Sequence, residues 1–350
     1  MKFSNQLIYW YLQNDRDLLW RKTKNPYHIW LSEIILQQTR VNQGLSYYVS
    51  FVKAFPTVVD LANASESKVL KLWQGLGYYS RARNLHYSAK YIVNELNGVF
   101  PTTYEEIKKL KGVGDYTASA IASICFNEPH AVVDGNVYRV LARYFGVSTP
   151  INSTKGIKEF KELAQTLIDA SQPGTFNQAI MDFGALHCKP QQPLCKSCPF
   201  NTSCVALKNQ SIKELPVKEK KTKIKQRYFN FLVVLNAEHE TVFTERKGKG
   251  IWQGLYQFPL VETQKSITKE ELMSNSELEK WISTIDEIFL FNEKEIVHKL
   301  SHQHLYTKFW ILKANNIKSP TISWSMLKKY PVPILIANFL KKFNPINGYF

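Results

Sequence analysis

No uninterrupted apolar stretch among the 350 residues approaches the roughly 18 that a membrane span needs. The opening MKFSNQLIYWYLQND has no basic start, long apolar stretch or small-residue cleavage site, so a cytoplasmic protein without membrane association is expected. Cysteine is sparse, five residues in all, and no internal repeat is visible. Acidic residues are also short: 29 Asp and Glu stand against 45 Lys and Arg, a formal charge of +16. The excess is uneven. Residues 1–210 carry 23 basic and 15 acidic groups, residues 211–227 carry 7 and 2, and residues 228–350 carry 15 and 12. Such a balance suits a polyanion partner, because basic groups gain affinity by displacing counterions from phosphates, but charge alone does not single out nucleic acid.

The apolar fraction, 44%, is that of a folded protein, and the length accommodates two domains. Residues 1–208 carry apolar positions at three- and four-residue spacing in HIWLSEIILQQTRV, SKVLKLWQGL and IKEFKELAQTLI, which predicts an all-α domain. The lysine-dense QSIKELPVKEKKTKIKQR is short of core residues and predicts a solvated linker over 209–227. Beyond it, YFNFLVVLN and TVFTER are rich in β-branched and aromatic residues, while TKEELMSNSELEKWI has a helical pattern. Residues 228–350 are therefore expected to form a mixed α and β domain.

Four cysteines, Cys188, Cys195, Cys198 and Cys204, fall within 17 residues at the spacing C-x6-C-x2-C-x5-C. In a reducing compartment four such thiolates wrap a metal centre more readily than they form disulfides, and structural zinc and a [4Fe–4S] cluster both satisfy the spacing. Cys125, alone in ASAIASICF, reads as a core residue. In LKGVGDYTASAIAS, Gly112, Val113 and Gly114 separate two helical patterns; glycines permit a tight turn, and the next helix start offers free N–H groups to a phosphate oxygen or simply joins two helices. Twenty residues after Gly114, Asp134 in VVDGNVYRV suits a helix cap. A capped carboxylate is kept ionised near the positive end of a helix, and Asn136 is placed to hydrogen-bond and orient it.

The cysteine spacing closely resembles the iron–sulfur loop of endonuclease III and MutY-type DNA glycosylases, and the resemblance favours [4Fe–4S] over zinc. The GVG turn followed by Asp134 is similar to the helix-hairpin-helix and Gly/Pro/Asp arrangement of that superfamily. WRKTKNPYHIWLSEIILQQTRV looks like the MutY segment that carries the proton donor, which falls on Glu33 in this sequence. By itself Glu33 is a glutamate on an amphipathic helix, with Leu31, Ile34 and Ile35 facing the core and Gln37 on its own face. Tyr116 stands where endonuclease III-like bifunctional enzymes carry a Schiff-base lysine, and it resembles the MutY tyrosine that contacts the catalytic aspartate. The similarity runs nearly continuously from about residue 10 to 205. WQGLYQFP and HKLSHQHLYTKFW look like the Nudix-related domain with which MutY recognises 8-oxoguanine. Ser301 and His302 match its Phe-Ser-His motif, although Leu300 replaces the phenylalanine. No glutamate-rich segment resembles a Nudix hydrolase box.

The resemblance implies a multi-domain chain, a helix-hairpin-helix glycosylase domain joined to an α+β Nudix-like domain. It further implies a monomer that removes adenine opposite 8-oxoguanine or guanine in double-stranded DNA without efficient lyase activity. Glu33 would protonate adenine at N7 and then activate water. Asp134 would stabilise the sugar cation, positioned by Asn136 and Tyr116. Arg16, Trp20, Gln172 and Gln178 match positions around the adenine pocket. Gln38, Thr39, Leu76 and Tyr78 match residues that probe the opposite base once the target is flipped out. The rivals are a bifunctional endonuclease III-type glycosylase and an iron–sulfur DNA-binding sensor.

Overall fold

The computed structural model describes residues 2–219 and 224–347. The chain divides into two compact units, Met1–Asn63 with Asn84–Lys221, and Ala64–Arg83 with Thr222–Phe350.

The first unit is helical, as the three- and four-residue spacing predicts. Along the chain run α1 (Phe3–Asn14), α2 (Pro26–Leu36), α3 (Val41–Ala54) and α4 (Val58–Asn63), then α5 (Glu66–Leu72) in the second unit. There follow α6 (Ser80–Glu95), α7 (Tyr104–Lys108), α8 (Asp115–Phe126), α9 (Gly135–Phe145), α10 (Thr154–Leu167), α11 (Pro173–Asp182) and α12 (Val205–Lys208). Polar side chains fix several helix starts: Asn25 accepts from Tyr27 N, Thr103 from Glu106 N and Ser153 from Gly156 N. α9 buries Val137, Val140 and Leu141 at helical spacing against Phe160, Phe176 and Phe183.

The predicted linker behaves differently along its length. Leu215 is buried in the helical core, its carbonyl accepts from Arg143 Nε at 3.1 Å, and Val217 O accepts from Ile151 N at 3.0 Å. Leu215, with the partly buried Ile212 and Val217, docks that stretch on the helices. Residues 220–223 of the predicted linker lie outside the described residues, and the first strand already includes Lys225. Residues 64–83, predicted within the helical domain, pack instead in the second unit. There Lys71 Nζ donates to Tyr330 O at 2.9 Å, Gln74 Oε1 accepts from Val332 N at 3.1 Å, and Arg83 Nη1 donates to Gln253 O at 2.6 Å.

The second unit is built on β1 (Lys225–Leu235), with β2 (Glu240–Val242), β3 (Thr244–Glu245), β4 (Tyr256–Gln257), β5 (Leu260–Thr263), β6 (Glu287–Leu290), β7 (Ile296–Lys299), β8 (Gln303–Lys313) and β9 (Thr321–Ser323). β1 and β8 pair in parallel from Lys225–Gln303 to Leu235–Lys313, and β7 and β8 form an antiparallel hairpin. Both faces of β1 are covered, which accounts for its continuous apolar run. Leu232 and Val234 pack with Trp310 and Leu312, whereas Phe231 stacks on Phe309, itself stacked on Phe339 of the terminal helix Ile334–Lys342.

The helical pattern over 268–282 forms only a short helix, Lys269–Met273, closed by a capping box between Thr268 and Glu271. It stops at Ser274, after which Asn275 caps the Glu277 N–H at 3.0 Å and a 3-10 turn, Leu278–Lys280, follows. Short polar side chains compete there for backbone donors that a longer helix would need.

Phe309 is fully buried between two rings. Phe309→Ala should therefore destabilise the second unit by about 3–5 kcal/mol. Urea unfolding of the full chain, followed by near-ultraviolet circular dichroism, checks this; Phe309→Leu should lose less.

Candidate active site

α2 carries Glu33, but the helix is not amphipathic as predicted. Trp30, Leu31, Ser32, Glu33, Ile34 and Ile35 are all buried, so the helix is covered on every side and its glutamate is taken out of water. Tyr27 at its start anchors it by donating to Phe55 O at 2.8 Å. Burial is the leading cause that pushes the Glu33 carboxyl up from its ordinary 4.5 to about 7. A hydrogen bond from Tyr116 and the charge of Arg21 oppose that shift, and the nearby Asp134 adds to it.

Asp134 caps α9. Its Oδ1 accepts from Asn136 N and Val137 N, each at 2.8 Å, and its Oδ2 accepts from Asn136 Nδ2 at 2.9 Å. Despite these donors burial raises its pKa, so the depressed value of an exposed helix cap is not reached. Tyr116, on α8, lies within the field of both carboxyls. Its hydroxyl donates to Met181 Sδ at 3.2 Å, and its hydrogen-bonding contact with Glu33 works to lower the pKa of that carboxyl.

Behind Asp134 the chain of contacts continues. Arg139 Nη2 donates to Asn136 Oδ1 at 2.8 Å and to Gly184 O at 2.6 Å, while its Nε donates to Cys188 O at 2.8 Å. Gly184 permits this approach, since a Cβ there would lie 2.6 Å from Asn136 Cβ. Sequence reading missed Arg139, although its place three residues after Asn136, on the same face of α9, was the available signal.

Arg16 pairs with the buried Asp182, and Gln178 Oε1 accepts from Tyr11 OH at 2.8 Å. Trp20 packs edge-on against Tyr48, and Gln172 is exposed at the start of α11, 3.3 Å from Asp169 Oδ2. Gln38 has φ +56° and is exposed, and Thr39 N donates to Leu36 O at 3.0 Å. The turn before α8 has Gly112 at φ +85°, where a Cβ would fall 2.8 Å from Asn84 Cβ. Val113 is buried, and Gly114 caps α8 without a side chain and faces open space. In the second unit Leu76 is buried, whereas Tyr78 is half-exposed at φ +48° with its hydroxyl bonded to Ser301 Oγ. Ser301 and His302 occupy the exposed tip of the β7–β8 hairpin.

Cys188, Cys195, Cys198 and Cys204 line one cavity together with Phe3, Arg143 and Phe200. Burial and the neighbouring sulfurs push the Cys198 thiol up to about 11, so that thiol ionises at neutral pH only beside a strong positive charge such as a metal. Among the described residues no three His, Cys, Asp or Glu side chains converge as on a single metal ion.

A buried glutamate in the field of a helix-capping aspartate, together with a glycine turn between two helices, fits one class: a helix-hairpin-helix base-excision DNA glycosylase, a hydrolase. The comparisons agree. Residues 31–166 match the HhH-GPD superfamily base excision DNA repair protein model, and residues 230–342 match the NUDIX domain model. An adenine DNA glycosylase of Buchnera aphidicola subsp. Baizongia pistaciae is 35% identical, covering 98% of this chain and 97% of its own. That of Mus musculus is 33% identical, covering 91% and 72%. A thermostable thymine-DNA glycosylase superposes with a TM-score of 0.55 at 31% identity, over 59% of this chain and 95% of its own. Endonuclease III trapped on DNA shares the fold, with a TM-score of 0.52 at 22% identity over 59% and 94%. The chain belongs to the MutY-type adenine DNA glycosylase family. Among the described residues no helix is long and apolar enough to cross a membrane.

Because the folded chain holds the Glu33 proton more tightly than the unfolded chain, the associated stability is full below pH 4.5 and is lost as pH rises through about 7. The span corresponds to about 3 kcal/mol. Glu33→Gln, which removes the titration, should gain up to about that much over the parent at pH 8 and little at pH 4.5, measured by urea unfolding at both.

Proposed function

We propose that this chain hydrolyses the N-glycosidic bond of adenine mispaired with 8-oxoguanine or guanine in duplex DNA, leaving an abasic site. The observation that carries the reading is the buried Glu33, its acid form favoured to about pH 7, in the field of Asp134. Departure of a purine needs a proton on the leaving base and an anion beside the growing oxocarbenium charge. Two carboxyls whose surroundings treat them differently divide that work. Glu33 protonates the flipped adenine at N7 and then activates water. Asp134, its oxygens fixed by Asn136 and two backbone N–H groups, compensates the sugar cation. Tyr116 offers no amine for a Schiff base, so the strand is left unbroken.

Arg16, Trp20, Gln172 and Gln178 surround the flipped base in this reading. Gln38, Thr39, Leu76, Tyr78, Ser301 and His302 read the opposite base, and the turn of Gly112, Val113 and Gly114 takes a backbone phosphate. The chain acts as a monomer. Cys188, Cys195, Cys198 and Cys204, which line one cavity, would hold a [4Fe–4S] cluster. Bound there, it would order the loop for contact with DNA and take no part in the hydrolysis.

A duplex with adenine opposite 8-oxoguanine, incubated with the chain and divided between samples with and without hot alkali, tests the reading. Cleavage only after alkali is expected. Cleavage without alkali would show a bifunctional lyase, and an intact strand in both would point to a binding protein. Glu33→Gln should still bind the mispair while adenine release falls by about 10²–10⁴-fold. The purified chain should contain four irons, and Cys198→Ser should lose them.

A further inference from the structure

Asp182, the last residue of α11, is fully buried and has no part in the steps above. Two guanidinium groups converge on it. Arg16 Nε donates to Oδ1 at 2.8 Å and its Nη2 bonds the same oxygen, while Arg21 donates through Nη1 to Oδ2 at 2.5 Å and through Nη2 to Oδ1 at 2.8 Å. Arg21 comes from the 3-10 turn Leu19–Lys22, and its charge also reaches Glu33 and Tyr116. Its side chain is only 11% exposed, so it has little route to water, and its guanidinium lies 5.7 Å from the centre of the Tyr11 ring. Arg16, at 28%, reaches further toward solvent. A buried guanidinium without its carboxylate would turn to the next one within reach, since an unpaired buried charge is costly.

We propose that Asp182 is a positioning residue that holds Arg21 away from Glu33, so that the catalytic acid faces a guanidinium already paired elsewhere and keeps its proton. The proposal rests on the reading of Glu33 as the acid. The other titratable groups around Glu33 are Tyr116, Asp134 and Cys125. None replaces Asp182: Asp134 is taken up by Asn136 and two backbone N–H groups, and burial disfavours ionisation of the Tyr116 hydroxyl and the Cys125 thiol.

The Glu33 carboxyl can be followed by ¹³C NMR in the full chain labelled at glutamate, its resonance identified by loss in Glu33→Gln. The parent should titrate near the midpoint of about 7. Asp182→Asn should lower its proton affinity about tenfold, Arg21→Gln should raise it, and the double variant should return to the parent value or above. The alkaline limb of single-turnover adenine release should move in the same directions. A midpoint unmoved in both single variants, or a lowering that persists in the double variant, overturns the proposal. Should Asp182→Asn fail to fold, Asp182→Ser takes its place: a lowered midpoint that Arg21→Gln reverses supports the proposal, and an unmoved midpoint overturns it. The predicted titration shifts in a chain that releases no adenine would sustain the proposal while removing the functional reading.

Discussion

A carboxyl taken out of water is the constraint on which the helical unit depends. Glu33 sits on a helix buried all round, where an ionised group without partners is strongly penalised and the neutral acid is the cheaper state. Much of the surrounding polar structure answers that burial. Tyr116 supplies a hydrogen-bonding contact to the carboxyl, and Asp182 binds the guanidinium whose charge reaches it. A more exposed α2 would leave Glu33 ionised at neutral pH, an ordinary surface glutamate.

Asp134 shares the dry environment and resolves it differently. Three donors aim at its two oxygens, and they are held by the start of α9 and by Arg139, which reaches back to Gly184 and to the carbonyl of Cys188. The position of the aspartate is thereby tied to the segment that begins the cysteine loop through groups without rotational freedom to spare. A buried polar chain of this kind specifies one geometry because each member is needed to satisfy the next.

How much of this was legible follows from what kind of signal each feature leaves. Helical spacing and β-branched runs announced the two architectures, since both record which side chains meet the core. The capping role of Asp134 was readable because it is local, set by Gly135 and Asn136 beside it. Burial of α2 was not, because the polar Ser32 and Glu33 interrupt an otherwise apolar pattern and imply a wet face that the fold does not supply. Arg21 and Asp182 are separated by 161 positions, and nothing near either one reveals the other. The docking of residues 64–83 in the second unit was hidden for the same reason: its hydrogen bonds reach residues 253, 330 and 332.

Leu300 in place of the family phenylalanine bears on what positions the hairpin tip. β8 begins at Gln303, and its register is fixed further along by Phe309 and Trp310, which face opposite cores. A slip of one residue would exchange those two faces, so the core fixes the strand and the strand fixes its own beginning. The turn itself is closed by backbone, with Leu300 N donating to Gln303 O at 2.8 Å and Lys225 N to His302 O at 3.1 Å. Ser301 and His302 are consequently presented by main-chain geometry anchored in two buried rings, and an aromatic ring at position 300 is not required to hold them there.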